Sequence, residues 1–321
     1  MTVTETVVRE TEFDLRISAL DRVSDGVLSI ELTPLDDSAL PAWTPGAHVD
    51  LILGPDLVRQ YSLSGDPADH GRWRVAVLLT PDSRGGSRAV HENLTVGDTI
   101  RVRGPRNHFV LAAAPSYEFV AGGIGITPIL PMIAEAQAAG ASWRLHYGGR
   151  TRASMAFTDE LAQYGDKVTL VPQDESGHLD LQAILGTPAA DTLVYCCGPT
   201  PLLDAIESTC ETWPSGALHT ERFAAQEVDT SGDSEFTVVF AQSGIEAKVP
   251  ADKSVFTVAR ENDLSVLGSC LAGICGTCET DVLDGEVDHR DSVLDEDERA
   301  ANETMMICVS RCRGPRLVLD I

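Results

Sequence analysis

The sequence predicts a chain of three domains: an antiparallel β-barrel, an α/β domain with a parallel sheet, and a smaller α+β domain. Short strand-like runs separated by turn residues fill roughly the first third of the chain. After that, strands alternate with Ala- and Leu-rich helical stretches, which is typical of a parallel sheet. A polar linker then precedes a segment rich in glycine and cysteine. We therefore predict domains at 1–111, 112–226 and 235–321, with a linker at 227–234.

Composition excludes several classes of protein. The 321 residues exceed one ordinary domain, and the net charge of −25 argues against a nucleic-acid partner, which would require basic patches. No run of 18 apolar residues occurs, so no membrane span is expected. Residues 1–10 lack the basic and apolar segments of a secretory signal, and eight cysteines fit a reducing compartment. The predicted location is the cytoplasm.

The barrel prediction is based on four strand-like runs, at 13–20, 27–32, 48–53 and 74–79. Two short motifs within the predicted barrel are candidate binding segments. The first is Arg59-Gln60-Tyr61-Ser62, which by itself is compatible with an ordinary strand. The second is a turn over 83–88 that contains Gly85, Gly86 and Ser87. Its backbone N–H groups and hydroxyl suit a phosphate.

The α/β domain is predicted from five strand candidates with helices between them. The strands are at 117–121, 143–147, 168–171, 193–197 and 218–221, and the helices are at 128–139, 153–164 and 201–211.

The first of these strands runs into a glycine-rich turn, Gly122-Gly123-Ile124-Gly125-Ile126-Thr127-Pro128. Such a turn lets the backbone approach a pyrophosphate, but it can also be only a tight connection. We expect Thr127 to cap the following helix and Pro128 to occupy its first position.

The end of the second strand carries two arginines and no acidic residue, in the sequence Gly149-Arg150-Thr151-Arg152. Arg150 or Arg152 can therefore meet the 2′-phosphate of NADPH, or only the ribose and pyrophosphate of NADH. The residues leave both nucleotides open.

Four cysteines dominate the last domain. Three of them follow the pattern Cys270-x4-Cys275-x2-Cys278, and the fourth is the distant Cys308. This is the spacing of a plant-type [2Fe–2S] loop. The alternative is a structural zinc site, which more often uses two short Cys-x2-Cys pairs. Cys312 exceeds the four ligands that a cluster needs, so we interpret it as a nearby free thiol. Around the loop the sequence predicts a hairpin (236–240 and 246–249), a helix (254–262) and a final strand (317–321). The acidic run at 295–298 is interpreted as a solvated helix start, with a docking patch as the alternative.

The order of the first two motifs resembles the flavin-binding barrel of the ferredoxin–NADP reductase superfamily. The resemblance implies that Arg59 pairs with the flavin phosphate, Tyr61 packs on the ring and Ser62 bonds to its polar edge. The compact phosphate segment favours FMN over FAD.

The resemblance extends to the nucleotide-binding domain. It implies a thiol beside the nicotinamide and an acidic and an aromatic residue next to the flavin, and it favours NADH while NADPH stays possible. The residues that it implies are Gly85, Gly86 and Ser87 for the flavin phosphate, Gly123, Gly125, Thr127, Pro128, Arg150, Gly198 and Pro199 for the nucleotide, and Cys197, Glu221 and Phe223 for catalysis.

The order of barrel, nucleotide domain and C-terminal β-grasp ferredoxin resembles the phthalate dioxygenase reductase family. That resemblance implies an oxidoreductase in which flavin links a two-electron donor, NAD(P)H, to a one-electron [2Fe–2S] cluster. The implied partner is a terminal oxygenase, either a Rieske-type non-haem iron enzyme, such as an aromatic O-demethylase, or a cytochrome P450. A flavin reductase with a zinc-stabilised C-terminal binding module is the remaining alternative.

Overall fold

The structure is a computed structural model that describes residues 11–36, 38–54, 57–81, 85–224 and 228–321. It divides into two compact units, Met1–Glu221 and Arg222–Ile321, which are described separately. Residues 1–10, Ser83 and Arg84 of the predicted phosphate turn, and 225–227, where the predicted nucleotide domain ends and the predicted linker begins, lie outside the described residues.

A six-stranded antiparallel sheet forms the first part of the first unit, as predicted. Its strands are β1 (Glu12–Ser24), β2 (Val27–Pro34), β3 (His48–Gly54), β4 (Leu57–Ser62), β5 (Trp73–Leu78) and β6 (Thr99–Arg106). They lie in the order β4-β3-β6-β1-β2-β5. A bridge between Leu63 and Val75 joins the two edges, so the sheet closes into a barrel. Inside it, Trp73, Leu51 and Ile30 are fully buried.

Helix α1 (Gly86–Asn93) was not predicted. It begins directly after Gly85, whose φ of 92° lies in the left-handed region that favours glycine. The stretch predicted as a turn is therefore the start of a helix. The backbone N–H groups of the first helical turn, which have no partner within the helix, begin at Gly86.

The second part of the first unit is a five-stranded parallel sheet in the order β11-β10-β7-β8-β9. Its strands are β7 (Ser116–Gly122), β8 (Ser142–Gly149), β9 (Val168–Pro172), β10 (Thr192–Cys197) and β11 (Leu218–Glu221). The main helices are α2 (Ile126–Ala138) after β7 and α6 (Thr200–Thr209) after β10. Strand order reverses between β7 and β10, and ligands of open parallel sheets bind at such a crevice.

The predicted helix over 153–164 is wrong, because this segment is broken into short pieces: Arg152–Ser154, α3 (Thr158–Leu161) and Ala162–Lys167. Phe157, at φ 62°, interrupts the helical path. Its ring is buried in the core, and Arg74 of the barrel lies over it at 4.8 Å. Tertiary packing of Phe157 therefore overrides the local helix preference. Two further helices, α4 (Gln173–Ser176) and α5 (Leu181–Leu185), follow β9.

The start of α2 also differs from the prediction. Gly125 is the N-cap, and the Thr127 hydroxyl donates to the Ile124 carbonyl at 2.9 Å instead of capping the helix. Pro128 is the third helical residue, not the first. This costs nothing in hydrogen bonds, because the first four N–H groups of a helix have no partner within it.

The barrel and the parallel sheet share one hydrophobic cluster. Val27, Ala76 and Phe109 of the barrel segment pack with Ile126 and Tyr195 of the sheet segment. A salt bridge of 2.9 Å also links Arg74 to Glu160. This shared core explains why 1–221 forms a single compact unit.

The second unit has the β-grasp arrangement. Its five-stranded sheet has the order β13-β12-β18-β14-β16, and the helix α7 buries Val255, Val258 and Ala259 in the same hydrophobic core. Its elements are β12 (Phe236–Phe240), β13 (Ile245–Val249), α7 (Val255–Glu261), β14 (Glu279–Asp284), β15 (Val287–Asp288), α8 (Glu296–Ala301), β16 (Thr304–Met306), β17 (Arg311–Cys312) and β18 (Arg316–Leu319). The hairpin, the helix and the final strand were predicted.

The acidic stretch is a helix start, as expected. Asp295 and Glu298 form a reciprocal capping box, with both hydrogen bonds at 2.8 Å.

The end of the predicted flexible linker is anchored to the second unit. The Asp233 side chain is only 6% exposed, and Arg290 Nη1 contacts it at 3.0 Å. Arg311 lies within 3.5 Å of the same carboxylate and donates to the Lys253 and Pro250 carbonyls. Residue 233 is thus part of the folded unit. No helix in the described part of the chain is both long and apolar enough to cross a membrane.

Candidate functional site

The first predicted phosphate site brings Arg59 against the start of α1. A Cβ atom on Gly86 would lie 2.4 Å from Arg59 Cγ and 2.8 Å from Arg59 Nε, so the arginine crosses directly over this glycine. No side chain among the described residues caps α1. Ser87 is buried, and its hydroxyl contacts the N–H and the hydroxyl of Thr80, each at 3.2 Å. A guanidinium beside an uncapped helix N-terminus fits a phosphate group.

Tyr61 and Ser62 continue the same strand. Tyr61 packs against the barrel core, and burial raises its pKa to about 12. Ser62 is 4% exposed, and its hydroxyl finds no hydrogen-bond partner among the described residues. A buried hydroxyl without a partner is costly, so it fits a ligand atom such as the polar edge of a flavin.

The glycine-rich turn after β7 meets the end of β10 at the crevice of the sheet. A Cβ atom on Gly125 would lie 2.2 Å from the Cys197 carbonyl oxygen and 2.8 Å from the Gly198 nitrogen. Gly198 in turn lies against Gly122, where a Cβ atom would be 3.1 Å from the backbone. Gly123 has a φ of 57° and open space where its Cβ would be. The two turns are therefore packed backbone to backbone, and Pro199 leads into α6 as its N-cap.

Cys197 and Glu221 are paired across neighbouring strands at this crevice. The Cys197 thiol donates to Glu221 Oε2 at 3.8 Å. Burial raises the pKa of the Glu221 carboxyl to about 8. Burial and the neighbouring carboxyl raise the pKa of the Cys197 thiol well above its ordinary value. Both groups therefore retain their protons at neutral pH. Phe223, the third predicted catalytic residue, belongs to the second unit and is 41% exposed.

The two arginines after β8 have different surroundings. Arg152 forms a bidentate ion pair with Glu175, with Nε–Oε1 at 3.1 Å and Nη2–Oε2 at 2.7 Å. The Arg150 side chain is exposed and forms no ion pair with the described residues. Its carbonyl accepts a hydrogen bond from the Asp174 N–H at 3.2 Å, which joins the ends of β8 and β9.

The four predicted cluster cysteines, Cys270, Cys275, Cys278 and Cys308, are all buried and outside any disulfide. No three His, Cys, Asp or Glu side chains in the described ranges close around a single metal ion. The four side chains are nevertheless close neighbours, with Cys275 beside Cys270, and Cys308 beside both Cys270 and Cys278.

Glycines make the cysteine loop possible. Gly273 (φ 68°) and Gly276 (φ 71°) lie in the left-handed region, and a Cβ atom on Gly273 would approach Val309 Cγ2 to 2.6 Å. The residues thus fit a four-thiolate cluster. The Cys312 thiol donates to the Arg316 carbonyl at 3.3 Å.

Two residues that contact these sites were not predicted from the sequence. Thr80 supports Ser87, and Glu175 pairs with Arg152. Glu175 lies 23 residues from Arg152 with no local pattern to link them. Only the knowledge that adjacent parallel strands end at the same edge of a sheet would have suggested the pair.

Comparisons with known proteins agree with these sites. Residues 238–313 match the family described as a 2Fe-2S iron-sulfur cluster binding domain, and residues 119–208 match the oxidoreductase NAD-binding domain. The first match favours the iron–sulfur cluster over the zinc alternative. The chain is 42% identical over 309 residues to the phenoxybenzoate dioxygenase subunit beta of Ectopseudomonas oleovorans, covering 96% of this chain and 97% of that one. It is 36% identical over 313 residues to the phthalate dioxygenase reductase of Burkholderia cepacia, with 96% and 97% covered.

Solved structures give the same result. The structure described as phthalate dioxygenase reductase, with electron transfer from pyridine nucleotides to [2Fe-2S], matches with a TM-score of 0.71 and 35% identity, covering 97% of this chain and 98% of that one. An intact type IV self-sufficient cytochrome P450 monooxygenase matches with a TM-score of 0.92 and 46% identity over 97% of this chain. The present chain spans about two-fifths, 41%, of that longer protein. The chain is therefore an oxidoreductase, the reductase component of an oxygenase system, and it belongs to the phthalate dioxygenase reductase family.

Proposed function

We propose that this chain takes electrons from NADH through FMN to a [2Fe–2S] cluster and passes them singly to a terminal Rieske-type oxygenase or aromatic O-demethylase. The observation that carries the proposal is the combination, in one chain, of a nucleotide-binding and a 2Fe–2S family domain with near full-length similarity to oxygenase reductases. We assign the flavin to 1–111, the nucleotide to 112–226 and the cluster to 235–321, with 227–234 as the linker.

Arg59, Gly85, Gly86 and Ser87 hold the flavin phosphate in this proposal. The compact cradle of one arginine over Gly86 and an uncapped helix start supports FMN, since FAD adds a second phosphate and an adenosine. Tyr61 supports the ring, and the Ser62 hydroxyl bonds to its polar edge.

The nucleotide occupies the crevice between β7 and β10. Gly123, Gly125 and Gly198 allow its pyrophosphate to approach the backbone, while Thr127, Pro128 and Pro199 shape the two helix starts. Arg150 faces the adenosine end. Cys197 and Glu221 stand at the nicotinamide end as a protonated pair, so they add no fixed charge there at neutral pH. Phe223 is assigned to the flavin side.

Cys270, Cys275, Cys278 and Cys308 bind the cluster. Flavin exchanges electrons in pairs or singly, and so it joins the two-electron nucleotide to the one-electron cluster. The protein contributes position and shielding from water, and no general acid or base is assigned. We propose that this takes place in the cytoplasm, where cysteines remain reduced.

A cytochrome P450 is the second candidate partner. The similarity to about two-fifths of an intact self-sufficient cytochrome P450 monooxygenase, at 46% identity, supports it specifically. Adding the purified reductase and NADH to a Rieske-type oxygenase or to a P450, and measuring product formed per NADH consumed, distinguishes the two partners.

Anaerobic titration with NADH, followed by visible absorption, tests the relay. The expected result is bleaching of flavin and cluster bands together, with FMN as the flavin released on denaturation. In Cys275→Ser, flavin reduction by NADH should survive, while reduction of the one-electron acceptor cytochrome c should fall at least tenfold. Equal loss of both activities would contradict the proposed order, and flavin bands without cluster absorbance in the unaltered protein would contradict the cluster.

A further inference from the structure

Glu175 lies where the adenosine ribose of a nucleotide is expected. In nucleotide-binding parallel sheets, an acidic residue at the end of the second strand bonds to the ribose 2′-hydroxyl, or an arginine accepts a 2′-phosphate. The second strand here is β8, and no acidic residue follows it directly in the sequence. Strand β9 is its neighbour, with Gly149 aligned to Pro172, so α4 begins at the same edge.

Two contacts hold the α4 segment against the end of β8. The Asp174 N–H donates to the Arg150 carbonyl at 3.2 Å, and Glu175 makes its bidentate pair with Arg152. A bidentate arginine–carboxylate pair has a defined geometry even when exposed, as here at 54% and 47%. The two segments together carry two arginines, Arg150 and Arg152, and two acidic residues, Asp174 and Glu175, and of these Arg152 and Glu175 form an ion pair.

We propose that Glu175 is a specificity-determining residue, which selects NADH over NADPH by occupying Arg152 and placing a carboxylate at the 2′ position. With Glu175 present, a 2′-phosphate meets a like charge and finds one of the two arginines already paired. A 2′-hydroxyl, by contrast, can donate to the same carboxylate. The inference rests on the proposed binding of the nucleotide at this edge.

The test measures binding of two fragments that lack nicotinamide, ADP-ribose and 2′-phospho-ADP-ribose, by isothermal titration calorimetry on the cofactor-loaded protein. Glu175→Gln keeps the shape of the side chain but removes its charge. It should tighten binding of 2′-phospho-ADP-ribose about tenfold, from the removal of one repulsion and the release of one arginine. Binding of ADP-ribose should weaken or stay unchanged.

Two further variants separate the two effects. Arg152→Ala alone should not improve binding of the 2′-phosphate, and in the Glu175→Gln background it should remove most of the gain. Asp14→Asn is the matched control, because Asp14 forms a similar exposed pair with Arg101 at 2.9 Å on the barrel and its loss changes net charge equally. It should leave both dissociation constants within about twofold.

An unchanged ratio of the two dissociation constants in Glu175→Gln would overturn the inference, as would a gain that is fully retained when Arg152→Ala is added. These outcomes are distinct from failure of the proposed function. In that case the unaltered protein would bind neither fragment, and NADH would not reduce its flavin.

Discussion

The protonated carboxyl of Glu221 predicts an unusual pH dependence of stability. Its pKa is raised by burial from 4.5 to about 8, so between these values the folded protein keeps a proton that the unfolded chain releases. Stability is therefore greatest below pH 4.5 for this group and declines as the pH rises towards 8. The slope is about 1.4 kcal/mol per pH unit, or about 4 kcal/mol between pH 5 and 8. Because solvent reaches part of this side chain, we expect about 2 kcal/mol to be measured.

Glu221→Gln removes the titration while preserving shape. The variant should match the parent near pH 5 and exceed its free energy of unfolding by about 2 kcal/mol at pH 8. Urea unfolding followed by tryptophan fluorescence is a suitable assay. All four tryptophans, Trp43, Trp73, Trp143 and Trp213, lie in the first unit, so the signal reports on that unit. Glu211→Gln, at an exposed helix end, is the control and should give no pH-dependent difference. A difference between Glu221→Gln and the parent that stays flat from pH 5 to 9 would refute the reasoning.

Three other substitutions test the remaining sites. Gly86→Ala should weaken FMN retention about tenfold, because the new Cβ displaces the Arg59 side chain. The loss of stability should be less than about 1 kcal/mol, since that side chain is flexible. Flavin content after gel filtration measures retention, and full retention would contradict the prediction. Gly125→Ala should lower kcat/KM for NADH about a hundredfold, because its Cβ meets the Cys197 backbone. Gly232→Ala is the control and should behave as the parent protein, since open space surrounds that position. Equal behaviour of the two variants would contradict binding of the nucleotide at the crevice. Asp233→Ala should destabilise the second unit by about 3 kcal/mol, because it removes the carboxylate beside the buried Arg311 and leaves Arg290 with Asp288 alone. Cluster bleaching at lower urea measures this, and Asp229→Ala, at an exposed position, should not shift it. Unchanged bleaching in both variants would show that the anchor contributes nothing.

Much of the fold follows from local patterns. Alternation in β1, β2 and β3 and the strand–helix alternation after 112 were enough to predict the architecture. Helix α1 and the break at Phe157 were missed, because contacts with distant residues override the local preference there. The Asp233 anchor was also missed, because Arg290 and Arg311 are far away in sequence.

The sequence by itself determined the chemistry that this chain can perform. Cysteine spacing, Arg59-Gln60-Tyr61-Ser62 and the glycine turns are short motifs, in which each residue type is required by the group that it binds. The tertiary structure alone decided how those residues behave. It placed Arg59 over Gly86, raised the pKa of Glu221 by burial, and brought Glu175 to Arg152. These properties depend on distances and dielectric surroundings between residues that are remote in the chain, and the folded backbone is what sets both.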